Sequence, residues 1–152
     1  MSQRLDHFST APEMFKPLLA LEAALKDSGL EHSLLELVKL RASQINGCAF
    51  CIDMHTREAL SDGDTVQRLA LTTAWRDSFL FSEREKLALA WTEALTELAT
   101  AHPDDALFER VEVEFGQRDT TALTLLITVI NAWNRVSVAF GAVHAKPDAA
   151  MG

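Results

Sequence analysis

Apolar residues recur at helical spacing along nearly the whole chain, and this feature limits the possible fold more than any other. The 152 residues include no tyrosine, and no stretch alternates apolar and polar residues as a half-buried strand would. We therefore expect an all-α fold, a bundle of about six to seven helices. A chain of this length is typical of one domain, so we expect a single domain over residues 1–152.

Start and stop signals divide the chain into seven predicted helices. They are expected to run from Pro12 to Asp27, from Ser33 to Asn46-Gly47, from about Cys48 to Leu60, from Asp64 to about Trp75, from Ser82 to Thr100, from Asp104 to Gly116 and from about Asp119 to Phe140. Capping-box pairs mark three of these starts: Thr10 with Glu13, Ser33 with Glu36, and Ser82 with Glu85. The segment from Ala142 to Gly152 is predicted to be a tail. The last helix carries more apolar surface than one face needs, which favours burial against another subunit and hence a homo-oligomer.

Charge and hydropathy argue against several classes of partner. The net charge of −8, from 14 Lys and Arg against 22 Asp and Glu, leaves no basic surface for nucleic acid or an anionic membrane. The most apolar segment, Leu123 to Val138, is interrupted by Asn131, Asn134 and Arg135, so we do not expect it to span a membrane. The N-terminus lacks the apolar run of a secretory signal, and we expect a cytoplasmic protein.

The only two cysteines, Cys48 and Cys51, form a C-x-x-C sequence. If this segment is helical, Cys48, Cys51 and His55 share one face, which brings an imidazole within reach of a thiol. His55 lies one turn beyond Cys51 and can take its proton, whereas Cys48 lies in the first turn, where the helix dipole favours a thiolate. Thiolates attack peroxides and disulfides, so the pattern predicts a redox dithiol. The two effects favour different sulfurs; we prefer Cys51 as the attacking one because of its histidine.

Other interpretations of these residues remain open. A zinc site would use four ligands: Cys48, Cys51, His55 and Glu36. Structural zinc sites usually add a second cysteine or histidine cluster, and this chain has none. The cysteines could instead be inert, and Glu36 could simply bond the backbone of Ser33 within its capping box. Three further charges on the cysteine helix are expected to be solvated: Asp53, Arg57 and Glu58.

The segment 36–59, ELVKLRASQINGCAFCIDMHTREA, resembles the core motif of the alkyl hydroperoxidase D (AhpD)-like proteins within the carboxymuconolactone decarboxylase superfamily. A later segment, NAWNRV at 131–136, is also similar to the single-domain members. The resemblance implies an all-helical AhpD-like bundle, assembly into trimers or hexamers, and peroxidase activity that uses the C-x-x-C pair. The family's acid, two cysteines and histidine correspond here to Glu36, Cys48, Cys51 and His55. Glu36 and His55 would then form a proton relay, directly or through water.

We therefore expect a thiol peroxidase that reduces alkyl hydroperoxides and is recycled by an external dithiol, with no metal, flavin or nucleotide cofactor. The founding AhpD enzymes carry another histidine inside the C-x-x-C, where this chain has Phe50, so the relay here is expected to be shorter or drier. Two alternatives are a disulfide oxidoreductase or redox sensor without peroxide turnover, and a non-catalytic scaffold or binding protein. Members that decarboxylate a muconolactone generally lack the cysteine pair, which argues against a lyase.

Overall fold

The computed structural model describes residues 2–146, and every regular element within this range is a helix. The predicted all-α fold is therefore confirmed. The elements are α1 (His7–Thr10), α2 (Pro12–Lys26), α3 (His32–Ile45), α4 (Ala49–Ser61), α5 (Val66–Leu71), a 3₁₀ helix (Thr72–Asp77), α6 (Glu83–Thr96) and α7 (Asp105–Phe140). The last six positions of the predicted tail, 147–152, lie outside the described residues.

Helix α3 lies inside the bundle, as its sequence leads us to expect. It packs against α4, α6 and α7, and every residue from Leu34 to Leu40 is buried. A helix that is apolar around most of its circumference is stable only between other elements. Three of its apolar side chains belong to the largest hydrophobic cluster, together with Trp91 of α6 and Ile127 of α7: Leu34, Leu35 and Val38. The polar side chains of α3 that share this burial must find partners inside the protein.

One of the predicted capping boxes is confirmed and a second is wrong. At the start of α6, Ser82 and Glu85 exchange both hydrogen bonds of the capping box. At the start of α2 the N-cap is Ala11, which has no side-chain bond to offer. Thr10 belongs instead to the short helix α1, which the sequence did not predict, and its hydroxyl donates to the carbonyl of Asp6 (2.7 Å).

The capping box predicted for α3 is also wrong. The helix begins at His32, one residue before Ser33, and its N-cap receives no side-chain hydrogen bond. The carboxylate of Glu36 points to His55 of α4, 2.8 Å away, instead of back to its own helix end. A buried carboxylate gains more from an imidazole that can carry charge than from a backbone amide that water can satisfy.

In the second half of the chain the helices begin and end close to the predicted boundaries, with local shifts. Gly116 interrupts α7 where a helix end is predicted; its φ of 73° and ψ of 164° lie outside the helical region, so α7 consists of two helical parts. Helix α6 ends at Thr96, earlier than the predicted Thr100. The fourth predicted helix is divided into α5 and the 3₁₀ helix, which continues past Trp75 to Asp77.

A neutral polar network ties the turn between α3 and α4 to α7. Asn46, at the end of α3, donates its amide to the side-chain oxygens of Asn131 (3.0 Å) and Asn134 (2.9 Å). Asn134 in turn donates to the hydroxyl of Ser43 (3.0 Å). These bonds fix the turn that leads directly into Cys48.

Helix α7 is the one described helix that is long and apolar enough to cross a membrane by length and composition alone. Its most apolar 18-residue window has a mean hydropathy of 1.4, and 44% of that window is buried inside the protein. The core helix of a soluble domain meets the same criterion. Here α7 packs against α2, α3, α4 and α6, and its two asparagines bond within the bundle.

Candidate functional site

Cys48 and Cys51 begin helix α4 and are paired as a disulfide in this structure. Cys48 is the N-cap, one position ahead of the predicted first turn, and its sulfur accepts a hydrogen bond from the backbone N–H of Cys51 (3.4 Å). Gly47 permits this arrangement because its φ of 64° turns the chain sharply between α3 and α4. The two Cα atoms are 5.3 Å apart and both side chains are buried. The disulfide pairing fits a redox role for the C-x-x-C sequence.

His55 lies one turn after Cys51 and is held by Glu36 from the neighbouring helix α3. Its Nδ1 is 2.8 Å from Glu36 Oε2, and each of the two side chains is only 4% exposed. An ionised carboxylate can only accept, so Nδ1 carries the proton and donates it. The Nε2 atom is buried and has no hydrogen-bond partner among the described residues. The Glu36–His55 contact is thus direct, and the second ring nitrogen is free to act as a base.

A second carboxylate, that of Glu58, also approaches the same ring nitrogen. Its Oε2 lies 3.1 Å from His55 Nδ1, from a position one turn further along α4. The prediction that Glu58 is a solvated charge is half right: the side chain is 52% exposed, yet it bonds to His55. The spacing of three residues from His55 on one helix was the signal that could have identified it.

The two carboxylates favour a charged imidazole. Burial alone would lower the pKa of His55, but its hydrogen bonds to Glu36 and Glu58 outweigh this and raise the pKa above its ordinary value. In the other direction, the hydrogen bond from His55 lowers the pKa of Glu58 to about 2. The ring is therefore prepared to accept a proton on Nε2 and to hold the resulting positive charge.

The charges continue beyond Glu36 in an alternating row. The ammonium group of Lys39 lies 3.4 Å from Glu36 Oε1 and 2.6 Å from Oε1 of Glu22 on α2. Burial alone would lower the pKa of Lys39, but Glu36 and Glu22 raise it, so the group stays charged. Glu22 also accepts a hydrogen bond from the indole N–H of Trp133 on α7 (3.2 Å). Side chains of α2, α3, α4 and α7 are thereby linked in one polar row.

One group of three acid or histidine side chains among the described residues is close enough to hold a metal ion: Glu36, His55 and Glu58, whose nearest donor atoms lie within 4.8 Å of one another. In this structure the two carboxylates already bond to the proton on Nδ1, and Lys39 places a positive charge beside Glu36. A disulfide also leaves no thiolate for the zinc site considered from the sequence. The three side chains form one hydrogen-bonded group, which we name the relay after the role that we propose for it.

The relay opens onto a cavity of about 670 Å³. This volume is typical of small-molecule sites. Of the two cysteines, both within the described residues, Cys51 lines the cavity and Cys48 does not. The wall near the relay comes from α3 and α4, with Glu36, Lys39, Phe50, Met54, His55 and Glu58. The rest of the lining comes from α1, α2, α7 and the segment after α7, with Phe8, Leu19, Ile130, Trp133, Ser137 and Val143.

The N-terminal segment is bound onto the end of α7 and closes one side of the cavity. The backbone N–H of Arg4 donates to the carbonyl of Phe140 (2.8 Å), and its guanidinium donates to that of Ala139 (3.0 Å). His7 follows, 8% exposed, with its ring stacked on Phe140 at 5.1 Å between centroids. The ring centroids of Phe8 and Trp133 are 6.1 Å apart. This wall could not be predicted from the sequence, since no local spacing links residues 3–8 to α7.

Comparison with known proteins places this site in a family. Residues 12–94 match the model of the carboxymuconolactone decarboxylase family. The chain belongs to this family. The matched residues include all four predicted site residues: Glu36, Cys48, Cys51 and His55. The aromatic wall contributed by Phe8 and Trp133 lies outside them.

Individual relatives extend the similarity over nearly the whole chain. The uncharacterized protein YdfG of Bacillus subtilis (strain 168) is 40% identical over 141 residues, 93% of this chain and 96% of its own. The uncharacterized protein YnjA of Escherichia coli (strain K12) is 34% identical over 106 residues, 70% of this chain and 58% of its own. A crystal structure from Agrobacterium tumefaciens, of a protein of unknown function with a suggested assignment as the antioxidant defence protein AhpD, has a TM-score of 0.91 at 40% identity and covers 95% of this chain and 99% of that one.

Proposed function

We propose that this protein is a thiol-dependent peroxidase that reduces alkyl hydroperoxides through its C-x-x-C pair. One observation carries the proposal: His55 and Cys51 line the same cavity, Glu36 holds Nδ1 of the ring, and Nε2 has no hydrogen-bond partner among the described residues. A base oriented by a carboxylate and placed one turn from a thiol is the arrangement that activates a sulfur nucleophile. The similarity to a structure with a suggested AhpD assignment supports the same activity.

The reaction begins from the reduced pair. His55 Nε2 takes the proton from Cys51 Sγ, and the thiolate attacks the terminal oxygen of the hydroperoxide. The O–O bond breaks, Cys51 becomes a sulfenic acid, and the alkoxide takes the proton from the imidazolium to leave as an alcohol. The thiol of Cys48 then attacks the sulfenic sulfur, which forms the disulfide and releases water. An external dithiol returns two electrons and two protons to the pair.

The positions of the two sulfurs support Cys51 as the attacking one. Cys51 lines the cavity in which a hydroperoxide would lie, and the relay reaches the same space. Cys48 sits at the N-cap of α4, where the helix dipole favours its thiolate and prepares it to resolve the sulfenic acid. The proposed order is Cys51 first and Cys48 second.

We also propose a homo-oligomer, a trimer or a hexamer, in the cytoplasm, recycled by an external dithiol. Apolar side chains of α7 that remain exposed in the single chain support an assembly: Val113 is 87% exposed and Val138 is 50% exposed. The mass in solution, measured by light scattering, tests the oligomer, and a monomer at micromolar concentration would contradict it.

The peroxidase proposal is tested by mixing reduced protein with equimolar cumene hydroperoxide and following free thiols and intact mass from seconds to minutes. We expect both thiols to disappear within seconds with the loss of two hydrogens. His55→Ala should slow this on the order of a hundredfold, since general acid–base assistance contributes about 10²–10⁴-fold. His102→Ala, a histidine in the exposed loop before α7, is the matched control. Thiols that survive peroxide for many minutes yet oxidise readily with diamide would instead indicate a disulfide oxidoreductase or redox sensor.

A further inference from the structure

Glu58 differs from Glu36 in its solvent exposure and in the cationic groups with which it pairs. Both carboxylates bond to His55 Nδ1, at 3.1 Å and 2.8 Å. Glu36 is 4% exposed and shares its charge with Lys39. Glu58 is 52% exposed and, among the described residues, forms its one ion pair with His55. Glu58 therefore pairs with the ring, whereas Glu36 pairs with both the ring and Lys39.

Lys39 weakens the support that Glu36 alone can give to a positive charge on His55. The ammonium group of Lys39 lies beside Glu36 and opposes a second positive charge on the imidazole. Its other partner, Glu22, pairs with Lys39 and, among the described residues, not with His55. A second carboxylate bonded to Nδ1 offsets the effect of Lys39 on the ring. Glu58 supplies this carboxylate.

We propose that Glu58 is a positioning residue for the thiol reaction, which holds the Nδ1–H of His55 together with Glu36 and stabilises the imidazolium formed when Nε2 takes the proton of Cys51. The proposal rests on the proposed dithiol chemistry, in which the S–H bond of Cys51 breaks and an N–H bond forms at Nε2. Glu58 touches neither the sulfur nor a substrate in this step. It acts through the ring by keeping Nδ1 protonated, so that the lone pair of the neutral imidazole stays on Nε2.

The expected effect of removing the charge has a definite sign. Without the carboxylate of Glu58 the imidazolium is less stable, so His55 gives up its proton at lower pH. The groups that remain around the ring are Glu36 and Lys39 from α3, with Glu22 of α2 behind Lys39. A less stable imidazolium also leaves less Cys51 thiolate at neutral pH, which slows every reaction that needs this thiolate.

The experiment measures the ring and the sulfur without using peroxide. NMR titration of the His55 ring nitrogens, in the reduced protein, is compared between wild type and Glu58→Gln, a change that keeps the size and removes the charge. Alkylation of Cys51 by iodoacetamide is followed against pH in the Cys48→Ser background. For Glu58→Gln we expect the His55 midpoint to fall by about 0.5–1 pH unit and alkylation near neutral pH to slow by about threefold to tenfold, as one pH unit corresponds to about a tenfold change in the ionised fraction.

Two further variants separate this role from a general effect of charge or folding. Asp53→Asn removes a carboxylate from the same helix that pairs with Arg57, and it should leave both curves unchanged. Glu58→Asp keeps the charge near the ring and should lie between wild type and Glu58→Gln. Wild-type titration and alkylation curves in a folded Glu58→Gln protein would overturn the proposal. A wild-type protein that ignores peroxide but shows the Glu58 effect would overturn the peroxidase function alone.

Discussion

Glu36 on α3 and Glu93 on α6 are both buried carboxylates, and the difference between their partners separates a structural cluster from a reactive one. Glu93 accepts hydrogen bonds from Arg41 (2.8 Å) and from the indole of Trp75 (2.8 Å), and it pairs with Arg76 (2.6 Å). Burial alone would raise the pKa of Glu93, but these partners lower it. Guanidinium groups stay charged under all conditions in which a protein is folded, so this cluster has one protonation state.

Glu36 pairs with Lys39 and with His55, and a histidine can gain or lose its charge near neutral pH. Nε2 of the ring has no partner within residues 2–146, whereas the donors around Glu93 all bond within the protein. A buried carboxylate that faces arginines can hold helices together. The same group facing a histidine with one free nitrogen can assist a proton transfer.

The largest expected effect comes from breaking the structural cluster. Glu93→Ala leaves the Arg41 guanidinium and the Trp75 indole without their acceptor, and removal of one partner from a buried ion pair costs about 3–5 kcal/mol. Urea unfolding at a fixed protein concentration measures the loss, and Glu93→Gln, which keeps one acceptor oxygen, should lose less. A decrease below about 1 kcal/mol, the value of a surface ion pair, would remove the distinction between the two clusters.

Glu36→Gln should show the opposite pattern. We expect the reaction of the thiols with cumene hydroperoxide to slow on the order of a hundredfold, because the amide cannot stabilise the imidazolium that forms during the reaction. The free energy of unfolding should change less than in Glu93→Ala, since the glutamine still accepts one hydrogen bond. Stopped-flow thiol oxidation gives the rate, with Glu93→Gln as the matched control. Equal rates in the two variants would assign Glu36 a structural role.

The smallest expected effect is a pH dependence of stability near neutral pH, which the Glu93 cluster does not share. His55 has a raised pKa in the folded protein, so its contribution to stability is complete below its ordinary value of 6.5 and is lost as the pH rises through the folded value. Glu58 has a pKa lowered to about 2, so its contribution is complete above 4.5 and is lost as the pH falls towards 2. The pair therefore stabilises most between these two ordinary values. Because Glu58 is half-exposed, we expect less than about 1 kcal/mol.

This dependence is measured by urea unfolding of the oxidised protein at about pH 5.5 and about pH 8.5. The free energy of unfolding of the wild type should fall from the lower pH to the higher one. In Glu58→Gln this fall should be smaller. A parallel change in both proteins would show that other groups account for the dependence.

Much of the helical layout could be predicted from local signals. Apolar spacing, the Ser82–Glu85 capping box and the break at Gly116 are all encoded within a few residues. The contact between Glu36 and His55 came from a family resemblance, not from spacing, since the two residues belong to different helices. Local reasoning favoured a capping role for Glu36, which the structure contradicts because a buried imidazole is the better partner.

The remaining features depend on contacts between distant segments. Lys39 meets Glu22 only because α2 lies beside α3, and neither residue carries a motif that would indicate this. Glu58 follows His55 by three residues on the same helix, a spacing that suits a solvated residue equally well, so the spacing alone does not establish its bond to the ring. The aromatic wall requires residues 3–8 to cross the end of α7, a contact that no helical periodicity predicts.

The two walls of the cavity also become available at different times during synthesis. All residues of the dithiol and its relay lie within 22–58, but the rest of the cavity lining needs Trp133 and Val143 near the other end of the sequence. A growing chain therefore presents its cysteines to the surrounding solution before the aromatic wall can cover them. For that interval the two cysteines can react with oxidants and thiols without selection by the cavity.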